Sequence, residues 1–240
     1  MGKRKRTDFF SASWGWFFVL LGVVFAIPFA IKALVIHDYF TYERLSAPFF
    51  ENQLYNNILL WLHIVLAIPP MALGPALLHE QFRNNHLWLH RQMGKIYVIG
   101  AMSSSVVGVM LALANTALFA KFGFGLLGTL WFTTTFIAYK KIRARDFISH
   151  RRWMIRSFAF AFAFLTVRFW AVSLVMIFPD LDMKIHMAMR SWFAWVPNII
   201  VAQIYIMTTS HRGQFLGWDK LRDVFLPESK KETSDKGPPH

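Results

Sequence analysis

The stretch HRRWMIRSFAFAFAFLTVRFWAVSLVMIF, His150 to Phe178, decides the fold. Arg151, Arg152 and Arg156 crowd its start, and from Ser157 onward the only charge is Arg168. The apolar part matches the ~20 residues needed to cross a hydrocarbon core about 30 Å thick. Phe158, Phe160, Phe162 and Phe164 alternate with alanine, and period two is a strand signal. The run is nevertheless apolar on both faces and too long for one strand. A lone strand in lipid would also leave its backbone groups without partners. The segment therefore reads as a transmembrane helix entered from a basic membrane surface.

The rest of the chain has the same character. Of 240 residues, 55% are hydrophobic and 16% charged, against about 25% charged in soluble domains. There are no cysteines, which excludes disulfides, thiolate metal sites, iron–sulfur clusters and a cysteine nucleophile. Apolar runs fall at 14–36, 58–78, 96–120, 122–139, 157–178 and 191–209. The first follows Lys3–Arg6 but is longer than a signal-peptide core and lacks a cleavage site, so it reads as an uncleaved span. The expectation is an all-α polytopic membrane bundle of about six transmembrane helices. They form one domain over residues 1–226, followed by a disordered tail at 227–240. Polar loops are expected at 37–57, 79–95, 140–156 and 179–190. The Pro69–Pro70 pair predicts a bend in the second span.

Six spans put both termini on one side. The N-terminus, the 79–95 and 140–156 loops and the tail hold 20 of the 26 basic residues. The opposite segments hold five, and Arg168 is left over. Positive residues stay cytoplasmic, so both termini are expected inside, in a bacterial cytoplasmic membrane. This asymmetry accounts for the net charge of +13 without nucleic acid. Anionic lipid head groups are the expected partner of the basic block.

Four residues stand out as site candidates. Arg168 lies about 18 Å beyond Arg156 at ~1.5 Å per helical residue, too deep to reach water comfortably. No Asp or Glu lies within any of the six runs. An intramembrane arginine faces the bundle interior with a partner; His63, Asn115, Thr133, Asn198, Gln203, Tyr205 or a bound anion could serve. His63 lies inside the second span. With Ala67, Pro70 and Gly74 it makes a small-residue stripe, with room for a flat ligand or a close helix. Gly100, Ser104 and Gly108 form a second stripe of the kind that packs helices. His90 and His150 sit at the basic surface, in the similar segments Leu89–Met93 and Ser149–Met154. They are either interfacial anchors beside Trp153 or ligands to one cofactor. A weaker zinc reading gathers His79, Glu80, His86, His90 and His150. A copper reading takes Met183, His186, Met187 and Met189. No phosphate-binding glycine loop, nucleophile elbow or carboxylate pair is present.

Leu89-His90-Arg91-Gln92-Met93-Gly94-Lys95-Ile96-Tyr97 and Ser149-His150-Arg151-Arg152-Trp153-Met154-Ile155-Arg156-Ser157, with His63, Gly74 and Arg168, resemble a bacterial membrane-protein family. It is catalogued as domain of unknown function 2306, and the resemblance covers roughly residues 58–175. It implies a membrane helical protein and no particular reaction. More loosely, histidines on several helices resemble the cytochrome b561 and ferric-reductase type of dihaem bundle, which implies haem b. Those bundles place ligand histidines in facing pairs inside the spans, whereas here only His63 is intramembrane. The leading expectation is a b-type haem or quinone-linked electron-transfer subunit working with a membrane redox partner. His63, His90 and His150 would bind iron, and Arg168 a propionate or quinone oxyanion. The alternatives are a transporter, a lipid- or small-anion-binding protein, and a structural subunit of a membrane complex.

Overall fold

The computed structural model describes residues 53–211. The expected first span at 14–36, the 1–226 boundary and the 227–240 tail lie outside these residues. Eight helices follow one another: α1 (Gln53–Leu78), α2 (Glu80–Asn85), α3 (Leu87–Leu113), α4 (Leu118–Arg143), α5 (Phe147–Ala161), α6 (Ala163–Ile177), α7 (Met183–Phe193) and α8 (Val196–His211). There is no strand among the described residues. Five segments are long and apolar enough to cross a membrane: Ile58–Leu78, Leu87–Leu113, Leu118–Arg143, Phe147–Ile177 and Met183–Thr209. The chain is an all-α polytopic membrane bundle, and the alternating phenylalanines are helical.

The spans differ from the sequence reading mainly at their ends. The expected loops at 79–95, 140–156 and 179–190 are mostly helix, because a polar interfacial residue can extend a helix that continues into lipid. The turns that remain are short and capped. Arg145 has φ 59°. Asp146 N–H reaches Lys141 O at 3.0 Å and Arg145 N–H reaches Ile142 O at 3.1 Å, the double bond of a Schellman turn. Asp146 then caps α5 by accepting from Ser149 N at 3.0 Å. Hydrogen bonds from Ser149, partly opposed by desolvation and helped by Lys141, hold its carboxyl below the usual carboxylate range. At the other face, Asn115 Oδ1 accepts from Ala117 N at 2.8 Å, and Asp182 Oδ1 accepts from Lys184 N at 2.6 Å.

α3 packs between α1 and α4, α5 packs on α4 and α1, and α7 and α8 lean on α4 and α5. Tyr97, Trp131, Phe160 and Trp195 lie in the shared core. The small residues set how closely the backbones approach. Pro70 has no N–H, so the Leu66 carbonyl loses its intrahelical donor. Gly100 of α3 lies directly over that carbonyl; a Cβ there would be 2.9 Å from Leu66 O and 3.0 Å from Pro70 Cδ. The ring of Phe158 fills the space above Gly74, 2.2 Å from where a Cβ would stand. The His63–Gly74 stripe is therefore occupied by helix packing rather than open to a flat ligand. α1 runs through Pro69, Pro70 and Pro75 as one continuous helix.

This packing makes Gly100→Val informative. Its Cβ would meet a backbone atom that cannot rotate aside, and overpacking of this kind costs about 1–3 kcal/mol. The expected outcome is a lowered unfolding midpoint in detergent, measured against Gly94→Val, where a Cβ meets nothing within 4 Å.

Candidate functional site

Polar groups inside the bundle gather at three levels along α3, set by His90, Tyr97 and Ser104. Seven-residue steps keep these three on one helix face. At the Ser104 level, His63 Nδ1 lies 2.9 Å from Ser104 O and 3.0 Å from Ser104 Oγ, while Ser104 Oγ donates to His63 O at 3.0 Å. A carbonyl accepts only a proton, so Nδ1 carries the hydrogen and Nε2 the lone pair. The edge of the ring rests against Gly108, where a Cβ would be 3.1 Å from Cε1. Arg168 is within electrostatic range of this ring. Its guanidinium folds back along α6, where Nη1 donates to Phe164 O and Cζ lies 3.8 Å from the Phe164 ring centroid. A carbonyl one turn back and an aromatic face thus hold part of the charge that lacks a carboxylate. Several expected partners are bonded elsewhere. Asn115 serves its turn, Thr133 bonds Thr129 O, and Gln203 accepts from Arg156 at 3.0 and 3.2 Å.

At the Tyr97 level the network is fully enclosed. Tyr97 Oη and Ser157 Oγ are 3.0 Å apart, Ser157 Oγ and Thr135 Oγ1 are 2.7 Å apart, and Thr135 Oγ1 donates to Trp131 O at 2.8 Å. All three side chains are fully buried. The network ties α3, α4 and α5 together across a core that is otherwise apolar.

The last two described spans, Phe147–Ile177 and Met183–Thr209, are each interrupted near their middle. α5 and α6 hold 15 residues each, on either side of Phe162. α7 and α8 meet at Ala194–Trp195, just before Pro197, which has no N–H to return to Phe193 O. The two breaks face each other. Asn198 Nδ2 lies 2.9 Å from Ala194 O, 3.1 Å from Thr166 Oγ1 and 3.3 Å from Ala159 O. Thr166 Oγ1 donates to the same Ala194 carbonyl. One threonine and one asparagine therefore satisfy carbonyls released by both breaks, as a break at membrane depth requires.

The basic end holds the third polar level. Arg83 is 4% exposed. Its Nη2 donates to Glu80 Oε1 at 3.4 Å, and Arg151 Nη1 donates to the same oxygen at 3.0 Å. Burial first, then the Arg151 charge, lowers the Arg83 guanidinium from its ordinary value, and Glu80 partly restores it. His90 and His150 are within electrostatic range of each other and of Arg83. His150 Nδ1 donates to Ala138 O at 2.8 Å. His90 Nδ1 is buried and has no hydrogen-bond partner among the described residues.

The four expected site residues therefore form two pairs, His63 with Arg168 and His90 with His150. The pairs are separated by the rise from His90 to Ser104, about 21 Å. Among the described residues no histidine faces His63, so they offer no bis-histidine haem pocket there. No group of three His, Cys, Asp or Glu side chains converges on a metal position among the described residues. His79 instead caps α2 by accepting from Phe82 N, and His86 packs on Phe82 with ring centroids 5.7 Å apart. Met183 and Met187 of the copper reading pack on Ala117 and Ala120. Sequence reasoning named Asn198 only as a partner for Arg168, and it gave no role to Thr166, Tyr97 or Arg83. Pro197 was the available signal for the second break.

The model of the predicted membrane protein family DUF2306 matches residues 60–206. The chain belongs to this family. The match spans all three polar levels and both helix breaks, and the protein is a membrane protein with several spans. No curated protein and no solved structure matches it.

The enclosed network yields a quantitative expectation. Side-chain hydrogen bonds inside membrane proteins contribute about 0.6 kcal/mol on average and at most ~1.7 kcal/mol. Tyr97→Phe and Thr135→Val should each lower stability in detergent within that range. The double variant should lose less than the sum, because both act through Ser157.

Proposed function

We propose that the protein is a membrane carrier for a small anionic solute, handled at the paired helix breaks. The observation that carries this reading is the meeting of two mid-span interruptions, α5/α6 and α7/α8, through Thr166 and Asn198. Carriers bind solutes at interrupted transmembrane helices; here Thr166 and Asn198 hold the released carbonyls, so a solute would meet those side chains and Arg168. Arg168, two residues beyond Thr166, places a positive charge less than two turns from the α5/α6 break at Phe162, and no span contributes a carboxylate. A negatively charged solute follows from that sign. On this reading the basic end faces the cytoplasm of a bacterial cell, by the distribution of Lys and Arg.

Electron transfer through haem b, with a membrane redox partner, has less support. His63 Nε2 and His150 Nε2 have the lone pair that an iron ligand needs. The two rings lie at opposite ends of the polar file, and the small stripe beside His63 is filled by Phe158 and α3. Protein expressed with haem supplied and purified in detergent should show no Soret or α band in a reduced-minus-oxidised spectrum. A stoichiometric b-type spectrum would restore the electron-transfer reading.

The natural absence of cysteine makes the carrier reading directly testable. Thr166→Cys and Ala163→Cys, in otherwise native protein in membrane vesicles, should react with a hydrophilic, membrane-impermeant thiol reagent. Val172→Cys, on a lipid-exposed position, should not. If neither break position reacts from either side of the membrane, the breaks are sealed within protein and the carrier reading fails.

A further inference from the structure

The basic end carries features that transport at the helix breaks does not use. Arg83 is buried at the basic end, where its Nε and Nη2 donate to Asn84 Oδ1 at 3.3 and 3.2 Å, and Glu80 bridges it to Arg151 through a single oxygen. A carboxylate held between two guanidiniums fixes their planes and spacing, so Glu80 acts as a positioning residue. His90 and His150 lie in the first turns of α3 and α5. The N-terminus of α5 is already met by the Asp146 carboxylate, so the positive end that favours an added anion here is that of α3. The N-cap of α3, His86, makes no side-chain capping bond, and the first turn of α3 has no acidic residue. His90 Nδ1 is buried without a hydrogen-bond partner among the described residues, within electrostatic range of Arg83. An imidazole nitrogen in that position is satisfied by donating to an anion oxygen. His150 cannot take that role through Nδ1, which is committed to Ala138 O.

We propose that this mouth, between α2, α3 and α5, is a binding site for a phosphate group, held by Arg83, Arg151 and His90. Phosphate is the anion whose several oxygens can meet two guanidiniums and an imidazole together. It is also the anion that the adjoining membrane surface presents at high density, so a phospholipid head group and free phosphate share the same chemistry here. The site stands apart from the carrier reading, because Arg151 lies about 16 Å along α5 from the break at Phe162 and the site would bind whether or not a solute crosses at the breaks.

The test uses full-length protein in dodecyl maltoside, which contains no phosphate. Its unfolding midpoint is followed while inorganic phosphate is added, with sodium chloride at matched ionic strength as control. A second arm adds phosphatidic acid in mixed micelles, with phosphatidic acid replaced by an uncharged diacylglycerol as control. A saturable rise in midpoint is expected in at least one arm. A rise with lipid alone assigns a head group, and a rise in both arms assigns the phosphate group itself. Arg151→Gln and His90→Gln, both at partly exposed positions, should each weaken the apparent affinity on the order of 10-fold, equivalent to about 1.4 kcal/mol. Arg83→Gln is the stronger test where it folds, and the two rim variants decide the matter where it does not. No saturable shift in either arm, or a shift of equal affinity in both rim variants, would overturn the proposal.

Discussion

Hydrocarbon offers a backbone N–H or C=O no partner, and the rest of this molecule follows from that constraint. A continuous helix meets it automatically. Each departure from a continuous helix has to be answered by a named group. Pro70 releases Leu66 O, and Gly100 brings the α3 backbone over it. Pro197 helps to end α7, and Asn198, the next residue, turns its amide to the released carbonyls. At the two breaks the answering groups cross between helices, so those irregularities are also tertiary contacts. Thr166 and Asn198 are the clearest case, since they join two breaks that lie far apart in sequence.

Close approach depends on small residues for the same reason. Lipid tails are as apolar as leucine, so helices gain little by burying leucine against one another, and dispersion at short range decides the packing. Gly74 receives the Phe158 ring, Gly100 receives Pro70, and Gly108 receives the edge of His63. Each leaves no space for a cofactor on that face. The polar residues then act at defined depths. The Tyr97–Ser157–Thr135 network fixes three helices at one level, the His63–Ser104 pair fixes two at another, and the Glu80-bridged arginines close the basic end.

Charge is distributed by the same logic. Arg168 remains at membrane depth because its long side chain reaches back to a carbonyl and an aromatic face on its own helix. Arg83 is buried because Glu80 accompanies it. Arg91, Lys95, Lys140, Arg143 and Arg145 are exposed at the basic end. Of the candidate ligands, His63 and Arg168 come together and so do His90 and His150. Their separation along α3 argues for two sites of different character rather than one cofactor.

The sequence by itself determined the membrane class, the number and approximate place of the described spans, and the absence of a strand at the alternating phenylalanines. Those properties depend on run length, composition and rise per residue, which are local. It also marked His90 and His150 as a similar pair. Tertiary structure alone decided that these histidines share a mouth with Arg83 and Glu80, that α1 passes unbroken through its prolines, and that the true interruptions lie at Phe162 and Ala194. Nothing local says which released carbonyl will find a partner, because at Ala194 that partner is the Thr166 hydroxyl of a distant segment.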